Sequence, residues 1–215
     1  MMRGKFIAFE GGEGCGKSTQ ARMLADWLTA QGRDAVLTRE PGGTPGAEAI
    51  RALLLDPPGT GWAARAEALL FAAARSDHVE RLIAPALASG RWVISDRYLD
   101  SSRAYQGVAG GLDDHSIMAL HEFGSGSLRP DLVFVLQAPE ETLSARLAAR
   151  DGDVSDAIGG RGAEFHRAVA EAFVAIAASD PQKYQRIDGV GSAEDVHKTV
   201  LRHLAPLLSE CDGAA

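Results

Sequence analysis

A glycine-rich stretch near the amino terminus carries the most specific chemistry in this sequence. Residues 11–19 read Gly-Gly-Glu-Gly-Cys-Gly-Lys-Ser-Thr and contain the complete phosphate-loop pattern G-x-x-x-x-G-K-S/T from Gly11 to Ser18. Glycines let consecutive backbone N–H groups curl around an oxyanion, and the helix that follows points its positive end at the same charge. In this pattern Lys17 reaches the β and γ phosphates, and the Ser18 hydroxyl ligates Mg²⁺. The sequence therefore predicts a nucleoside triphosphate site made by Gly11, Gly12, Glu13, Gly14, Cys15, Gly16, Lys17, Ser18 and Thr19.

A second candidate group, Asp96-Arg97-Tyr98, follows a strand-type run at 92–95. A carboxylate that ends a strand beside a phosphate loop can hold Mg²⁺ directly or through water. Arg97 could bind a phosphate through two parallel hydrogen bonds. The alternative is an Asp–Arg pair that only closes the strand end. The expected position of this strand end near the phosphates favours the functional interpretation.

Three further groups of residues could form part of a binding site, but each of them could also have a purely structural role. Arg39 and Glu40 begin a turn rich in Pro and Gly, and they could equally form a surface salt bridge. Phe71 and Arg75 lie four apart on one helix face, where they could stack on a base and hydrogen-bond to its carbonyl. A core aromatic is the commoner explanation for such a Phe. Four polar residues that suit a sugar or base edge, or simply a solvated surface, adjoin on one helix: Ser101, Ser102, Tyr105 and Gln106.

The elements that must position these groups alternate between strands and helices. This alternation predicts a three-layer α/β fold, in which a parallel sheet is covered by helices on both faces. Ligands of such sheets bind outside the carboxyl ends of the strands. Glycines and charges in the segment 150–162 predict a mobile loop, or lid, over the site. Strand-type runs occur at 6–9, 35–38, 92–95, 132–136 and 184–187, and helical patterns at 17–31, 46–55, 63–88, 113–124, 139–149, 163–178 and 193–208.

The size and composition of the chain limit the classes of protein to which it can belong. The 215 residues predict a single domain over 1–209, with a flexible tail at 210–215. A net charge of −7 provides no sequence-wide basic field for nucleic acid or an anionic membrane. The spacing of Cys15 and Cys211 is not that of a metal site or a disulfide framework. No apolar stretch is long enough to approach a bilayer span. The first predicted strand begins so early that it leaves no room for a signal peptide. We therefore expect a cytoplasmic protein that binds neither nucleic acid nor membrane.

Four segments together resemble the bacterial thymidylate kinases, over essentially the full length of the chain. They are residues 6–19 with the phosphate loop, 38–44 (Thr-Arg-Glu-Pro-Gly-Gly-Thr), 70–75 (Leu-Phe-Ala-Ala-Ala-Arg) and 96–107 with Asp-Arg-Tyr and Ala-Tyr-Gln-Gly. The phosphate loop is shared with many nucleotide enzymes, whereas the second and fourth segments together are close to diagnostic. The resemblance implies a P-loop kinase with a five-stranded parallel sheet, a short lid and a homodimer. It also implies transfer of the ATP γ-phosphoryl group to dTMP with Mg²⁺, which gives dTDP for dTTP synthesis and DNA replication.

The same resemblance implies residue roles at the nucleoside. Phe71 would stack on thymine, and Arg75 would hydrogen-bond to the thymine carbonyl. Ser102 and Gln106 would meet the base edge. Tyr105 would close the sugar side and disfavour a 2′-hydroxyl.

At the phosphates, the resemblance implies a set of cations and acids. Arg51, Arg97 and Ser101 would hold or adjoin the dTMP phosphate. Three acids would lie around the sugar, the metal and its waters, with no individual role assigned to any of them: Glu13, Glu40 and Asp96.

The lid departs from the pattern of the relatives. Many of them have Asp-Arg followed by an apolar residue and an acid, whereas residues 156–159 here read Asp-Ala-Ile-Gly, so position 157 lacks the arginine. Arg161, Arg150 or Arg146 could replace it. We hypothesise that Arg161 supplies the transition-state cation, because two glycines before it let the lid swing it inward; losing such a cation costs about three to five decades in rate. The expected catalytic residues are Lys17, Arg97, Arg161, Arg150 and Glu13.

Alternative functions remain open at this point. A kinase of another nucleoside monophosphate, such as dUMP or dCMP, is the nearest, since one methyl-sized contact distinguishes thymine by only ~1–3 kcal/mol. A GTP-dependent switch protein would need an Asn-Lys-x-Asp segment to recognise guanine, and the sequence contains no asparagine. A non-catalytic ATP-binding subunit is disfavoured by the intact Lys17-Ser18 and Asp96-Arg97-Tyr98.

Overall fold

The fold is built on one parallel sheet of five strands. The computed structural model describes residues 3–151 and 157–212. In this part of the chain the strand order is β2-β3-β1-β4-β5, and all four neighbouring pairs are parallel. The predicted five-stranded α/β fold is therefore confirmed. The strands are Phe6–Glu10 (β1), Ala35–Arg39 (β2), Trp92–Asp96 (β3), Leu132–Gln137 (β4) and Tyr184–Asp188 (β5).

Helices connect the strands and cover both faces of the sheet. The predicted helix at 63–88 is divided by a π-helical turn at Val79–Ile83, just before Pro85. Proline has no N–H to donate and its ring crowds the carbonyl four residues earlier, which explains the local widening. The helices are Lys17–Ala30 (α1), Pro45–Leu55 (α2), Ala64–His78 (α3), Ala84–Ala88 (α4), Leu99–Ser102 (α5, continued by a π-helical turn at Arg103–Val108), Asp114–Ser125 (α6), Glu140–Asp151 (α7), Ala163–Ser179 (α8) and Ala193–Asp212 (α9).

Two hydrophobic clusters, one on each face of the sheet, form the core. Alternate side chains of β1 pack into one cluster or the other, because successive side chains of a strand point to opposite faces. Phe6 and Ala8 pack into the cluster that includes Phe173 of α8. Ile7 and Phe9 pack into the cluster that includes Leu24 of α1 and Val200 of α9. This division gives the three layers that the sequence predicts.

The register of the central strands brings two predicted site segments together. Phe9 of β1 pairs with Asp96 of β3, so the loop that follows β1 begins beside the carboxyl end of β3. The end of β2 lies on the far side of β3, where Arg39 pairs with the same Asp96.

Two observations concern the helices alone. Among the described residues, no helix combines the length and apolar character needed to cross a membrane. The last helix extends to Asp212, into the segment predicted as a tail.

Candidate active site at the strand ends

The loop between β1 and α1 has backbone conformations that require glycine. Gly16, immediately before α1, has φ 96° and ψ 12°, in the left-handed region. Gly11 has φ 134°, and a Cβ there would collide with the carbonyl of Leu136. The Lys17 side chain is buried, and its Nζ donates to the Gly12 carbonyl at 2.6 Å. The lysine ammonium group therefore lies at the loop backbone that is suited to phosphate.

Ser18 and Asp96 form a close pair that suits a divalent cation. The Ser18 hydroxyl donates to Asp96 Oδ2 at 2.5 Å, and Asp96 Oδ1 is buried without a hydrogen-bond partner in the part of the chain that the structure describes. A buried carboxylate oxygen without a partner is costly and marks a position for a ligand. No cluster of three or more His, Cys, Asp or Glu that could hold a metal occurs within 3–151 and 157–212. The oxygens of Ser18 and Asp96 fit Mg²⁺, which takes few protein oxygens and completes its shell with water and phosphate.

Glu10, the last residue of β1, is a buried acid beneath the phosphate loop. Its carboxylate accepts hydrogen bonds from the backbone N–H groups of Tyr98 (2.9 Å) and Ser101 (3.1 Å) and from the Ser101 hydroxyl (2.6 Å). Burial and the neighbouring Asp100 raise its pKa to about 7, although Ser101, Arg97 and Tyr98 act in the opposite direction. Glu10 has no predicted role, although its position as an acid that ends an apolar strand directly before the glycine-rich loop is a signal in the sequence.

Arg97 is anchored between the phosphate loop and the helix that follows β3. Its Nη1 donates to the Gly11 carbonyl and to Ser101 Oγ, both at 3.1 Å, and its Nη2 donates to the Tyr105 hydroxyl at 3.3 Å. Its backbone has φ 71°, in the left-handed region where residues other than glycine are strained. Such strain concentrates at functional sites. These contacts fix the position of its guanidinium group.

A buried polar network joins the end of β2 to α3. Arg75 Nε donates to Glu40 Oε2 at 2.7 Å, and Arg75 Nη2 donates to Ser102 Oγ at 2.9 Å. His78 Nδ1 lies 3.0 Å from Glu40 Oε1, and His78 Nε2 lies 2.7 Å from Thr38 Oγ1. Burial raises the pKa of Glu40, but Arg75 and His78 outweigh burial and hold the pKa below its ordinary value of 4.5. His78 has no predicted role, although it follows Arg75 by three residues on the same helix.

Two adjoining cavities lie over these strand ends. The larger, of about 570 Å³, is lined by loop residues 13–19, by Asp96 and Arg146, and by the start of α9. The smaller, of about 90 Å³, is lined by Phe71, Tyr105 and Gln106 among others. Four charged residues line both cavities and mark their junction: Glu13, Glu40, Arg51 and Arg97.

Comparisons with known proteins identify the family. The family model described as thymidylate kinase matches residues 9–200. A thymidylate kinase of Rhizorhabdus wittichii is 51% identical over 207 residues, which cover 96% of this chain and 100% of that protein. The chain belongs to the thymidylate kinase family. A relative from Symbiobacterium thermophilum is 46% identical, with 94% of each chain covered. The crystal structure of the Ehrlichia chaffeensis thymidylate kinase superposes with a TM-score of 0.77 at 31% identity, covering 94% of this chain and 99% of that one.

Membership of this family confirms the resemblance, and the structure places most of the predicted residues at the two cavities. Arg75 and Ser102 are the exceptions on the nucleoside side. Both are buried, are hydrogen-bonded to each other and to neighbouring residues, and line neither cavity. They therefore lie behind the cavity wall.

The three candidate lid arginines have different positions. Arg146 lines the larger cavity, and its Nη2 donates to the Gly189 carbonyl at 2.9 Å. Arg161 pairs with Glu67, lies 4.7 Å over the Phe165 ring and lines neither cavity. The side chain of Arg150 lies outside the described part of the chain, as does residue 156.

Proposed function

We propose that this chain transfers the γ-phosphoryl group of ATP to dTMP and so forms dTDP for dTTP synthesis. Membership of the thymidylate kinase family over residues 9–200 supports this reaction. The observation that carries it is the junction of a loop-lined cavity with a smaller cavity beside Phe71. Two substrates bound in these cavities would meet at Glu13, Glu40, Arg51 and Arg97.

The chemistry needs alignment and charge neutralisation more than a base. A phosphate monoester has a second pKa of about 6, so dTMP is mostly dianionic at neutral pH and can attack without losing a further proton. Lys17 and the loop N–H groups would hold the donor phosphates. Arg97 and Arg51 would bind the acceptor phosphate at the junction and spread the charge that builds up on the oxygens.

Mg²⁺ would be held by Ser18 and Asp96, with Asp96 acting directly or through water. Asp96 Oδ1 is buried and has no hydrogen-bond partner among the described residues, which supports this assignment. When bound, the ion neutralises charge on the donor phosphates and helps to align them.

The smaller cavity suits the nucleoside of dTMP. Phe71 would stack on the base, Gln106 would meet its edge, and Tyr105 would close the sugar side against a 2′-hydroxyl. Arg75 and Ser102 would support this wall from behind, through Glu40.

For the lid cation, the position of Arg146 at the larger cavity favours Arg146 over Arg161. We expect Arg146→Ala to lower kcat by about two decades or more, in the range found when one transition-state donor is removed. Near wild-type kcat in Arg146→Ala, together with a large loss in Arg161→Ala, would restore the original hypothesis.

We also propose that the protein forms a homodimer and is cytoplasmic. Exposed apolar side chains support the homodimer: Phe123 on α6 is 93% exposed, and Leu53 on α2 and Leu69 on α3 are also exposed. Helix α3 packs against both α2 and α6, so the three side chains belong to one helical layer. Size-exclusion chromatography with light scattering checks the dimer, with Phe123→Glu as the variant expected to dissociate it.

A coupled ADP-release assay with dTMP, dUMP, dCMP, AMP or no acceptor tests the reaction. We expect dTMP to be the best acceptor, and Lys17→Ala to lower the rate by about 100-fold or more. Equal rates without an acceptor, or a preference for another monophosphate, would refute the proposal.

A further inference from the structure

Glu67, an acid on α3, lies between the smaller cavity and the start of α8. It precedes Phe71 by four residues and Arg75 by eight, so the three side chains follow one another along the same side of the helix. Glu67 is 9% exposed. None of the predicted roles includes it.

The Glu67 carboxylate is bound on both oxygens by residues that are distant in sequence. Gln106 Nε2 donates to Glu67 Oε1 at 2.8 Å, and Arg161 Nη2 donates to Glu67 Oε2. A carboxylate paired with a guanidinium group accepts hydrogen bonds and has none to donate. The Gln106 side chain must therefore turn its NH₂ group towards Glu67.

Because Nε2 is held at Glu67, the Gln106 oxygen is the acceptor that this amide can offer to a base in the smaller cavity. Gln106 is buried and lines that cavity with Phe71 and Tyr105. An amide oxygen accepts hydrogen bonds, so it complements a base edge that donates. Thymine and uracil carry an N–H at ring position 3, whereas cytosine has an acceptor there and a donor amino group at position 4. A site arranged for one hydrogen-bonding pattern rejects the other strongly, because a buried polar group would be left unpaired.

We propose that Glu67 is a specificity-determining positioning residue, which orients the Gln106 amide so that its oxygen faces the base and selects pyrimidines with an N3–H. Arg161 secures Glu67 in this role, and its contact with the Phe165 ring holds it in place. This proposal rests on the proposed function and explains selection between dTMP and dCMP at the same site. It makes no contribution to selection between dTMP and dUMP, which share the N3–H and differ by a methyl group.

Glu67→Gln tests the proposal with little change in shape. The new amide can donate as well as accept, so it releases the constraint on Gln106 and removes the ion pair with Arg161. We expect kcat/KM for dTMP and for dUMP to fall together by about tenfold, the effect of one buried hydrogen bond. The change should lie mainly in KM, because base binding is the same in the ground and transition states. The dTMP:dUMP ratio should stay constant, while the dTMP:dCMP ratio falls by about tenfold or more.

Glu164→Gln, at an exposed acid on α8, is the matched control and should leave both ratios unchanged. An unchanged dTMP:dCMP ratio in Glu67→Gln, or an equal change in the dTMP:dUMP ratio, would overturn the proposal. If thermal melting shows that Glu67→Gln does not fold, Glu67→Asp takes its place, because the shorter side chain withdraws the carboxylate from Gln106, and the same expected and refuting ratios apply. Failure of the proposed function would appear differently, as a wild-type protein that does not phosphorylate dTMP.

Discussion

Burial of Glu10 makes the stability of this protein depend on pH in a way that one substitution can remove. The carboxyl group lies beneath the phosphate loop, where burial and Asp100 raise its pKa from an ordinary value of 4.5 to about 7. Glu10→Gln keeps the side-chain shape and an oxygen acceptor for the N–H groups of Tyr98 and Ser101, but it does not titrate.

The direction of the pH dependence follows from whether the folded or the unfolded protein holds the proton on Glu10. Between pH 4.5 and about 7 the folded protein keeps a proton on Glu10 that the unfolded chain has released. The unfolding free energy that wild type gains from this group is therefore fully present below pH ~4.5 and falls as the pH rises to about 7. The raised pKa corresponds to about 3 kcal/mol.

Urea denaturation of wild type and Glu10→Gln across pH 4.5–8 measures this effect. We expect the difference in unfolding free energy, wild type minus variant, to decrease by about 3 kcal/mol over that range and to level off above pH ~7. Taking the difference in unfolding free energy between the two proteins cancels the contributions of the titrating groups that both contain. A wild-type minus Glu10→Gln difference that is flat, or that rises with pH, would refute this account of Glu10.

Two further predictions concern the network at β2 and the metal pair. Arg75→Leu leaves Glu40 buried without its guanidinium partner, and we expect the unfolding free energy to fall by about 3–5 kcal/mol in urea denaturation. Adding Glu40→Gln should recover part of this loss, because the buried group is then uncharged. A loss below about 1 kcal/mol in Arg75→Leu alone would contradict a stabilising Arg75–Glu40 ion pair. Asp96→Asn should raise the Mg²⁺ concentration for half-maximal activity by about 10- to 100-fold, as does loss of a group that positions a metal. An unchanged Mg²⁺ titration would exclude Asp96 from the metal site.

Local sequence is sufficient to predict the parts of this protein that depend on neighbouring residues. The phosphate loop is such a part, because its glycine conformations, its lysine and its serine all belong to one short segment. The strands could be predicted for a similar reason, since parallel strands buried on both faces appear as short apolar runs. The structure lengthens each predicted strand by one residue, and these added residues include Glu10 and Asp96 at the site itself.

Which of the distant polar residues meet depends on tertiary packing. Glu40 and His78 are 38 residues apart, and Arg161 and Glu67 are 94 apart. No periodicity connects such pairs; they form because tertiary packing brings α3 against the residue that follows β2 and against the residues that precede α8. Glu67 and Glu10 have no motif of their own, and their chemistry depends on burial, which makes the choice of partner energetically decisive. Local sequence therefore fixed the loop that suits phosphate, whereas packing determined the network that surrounds the base.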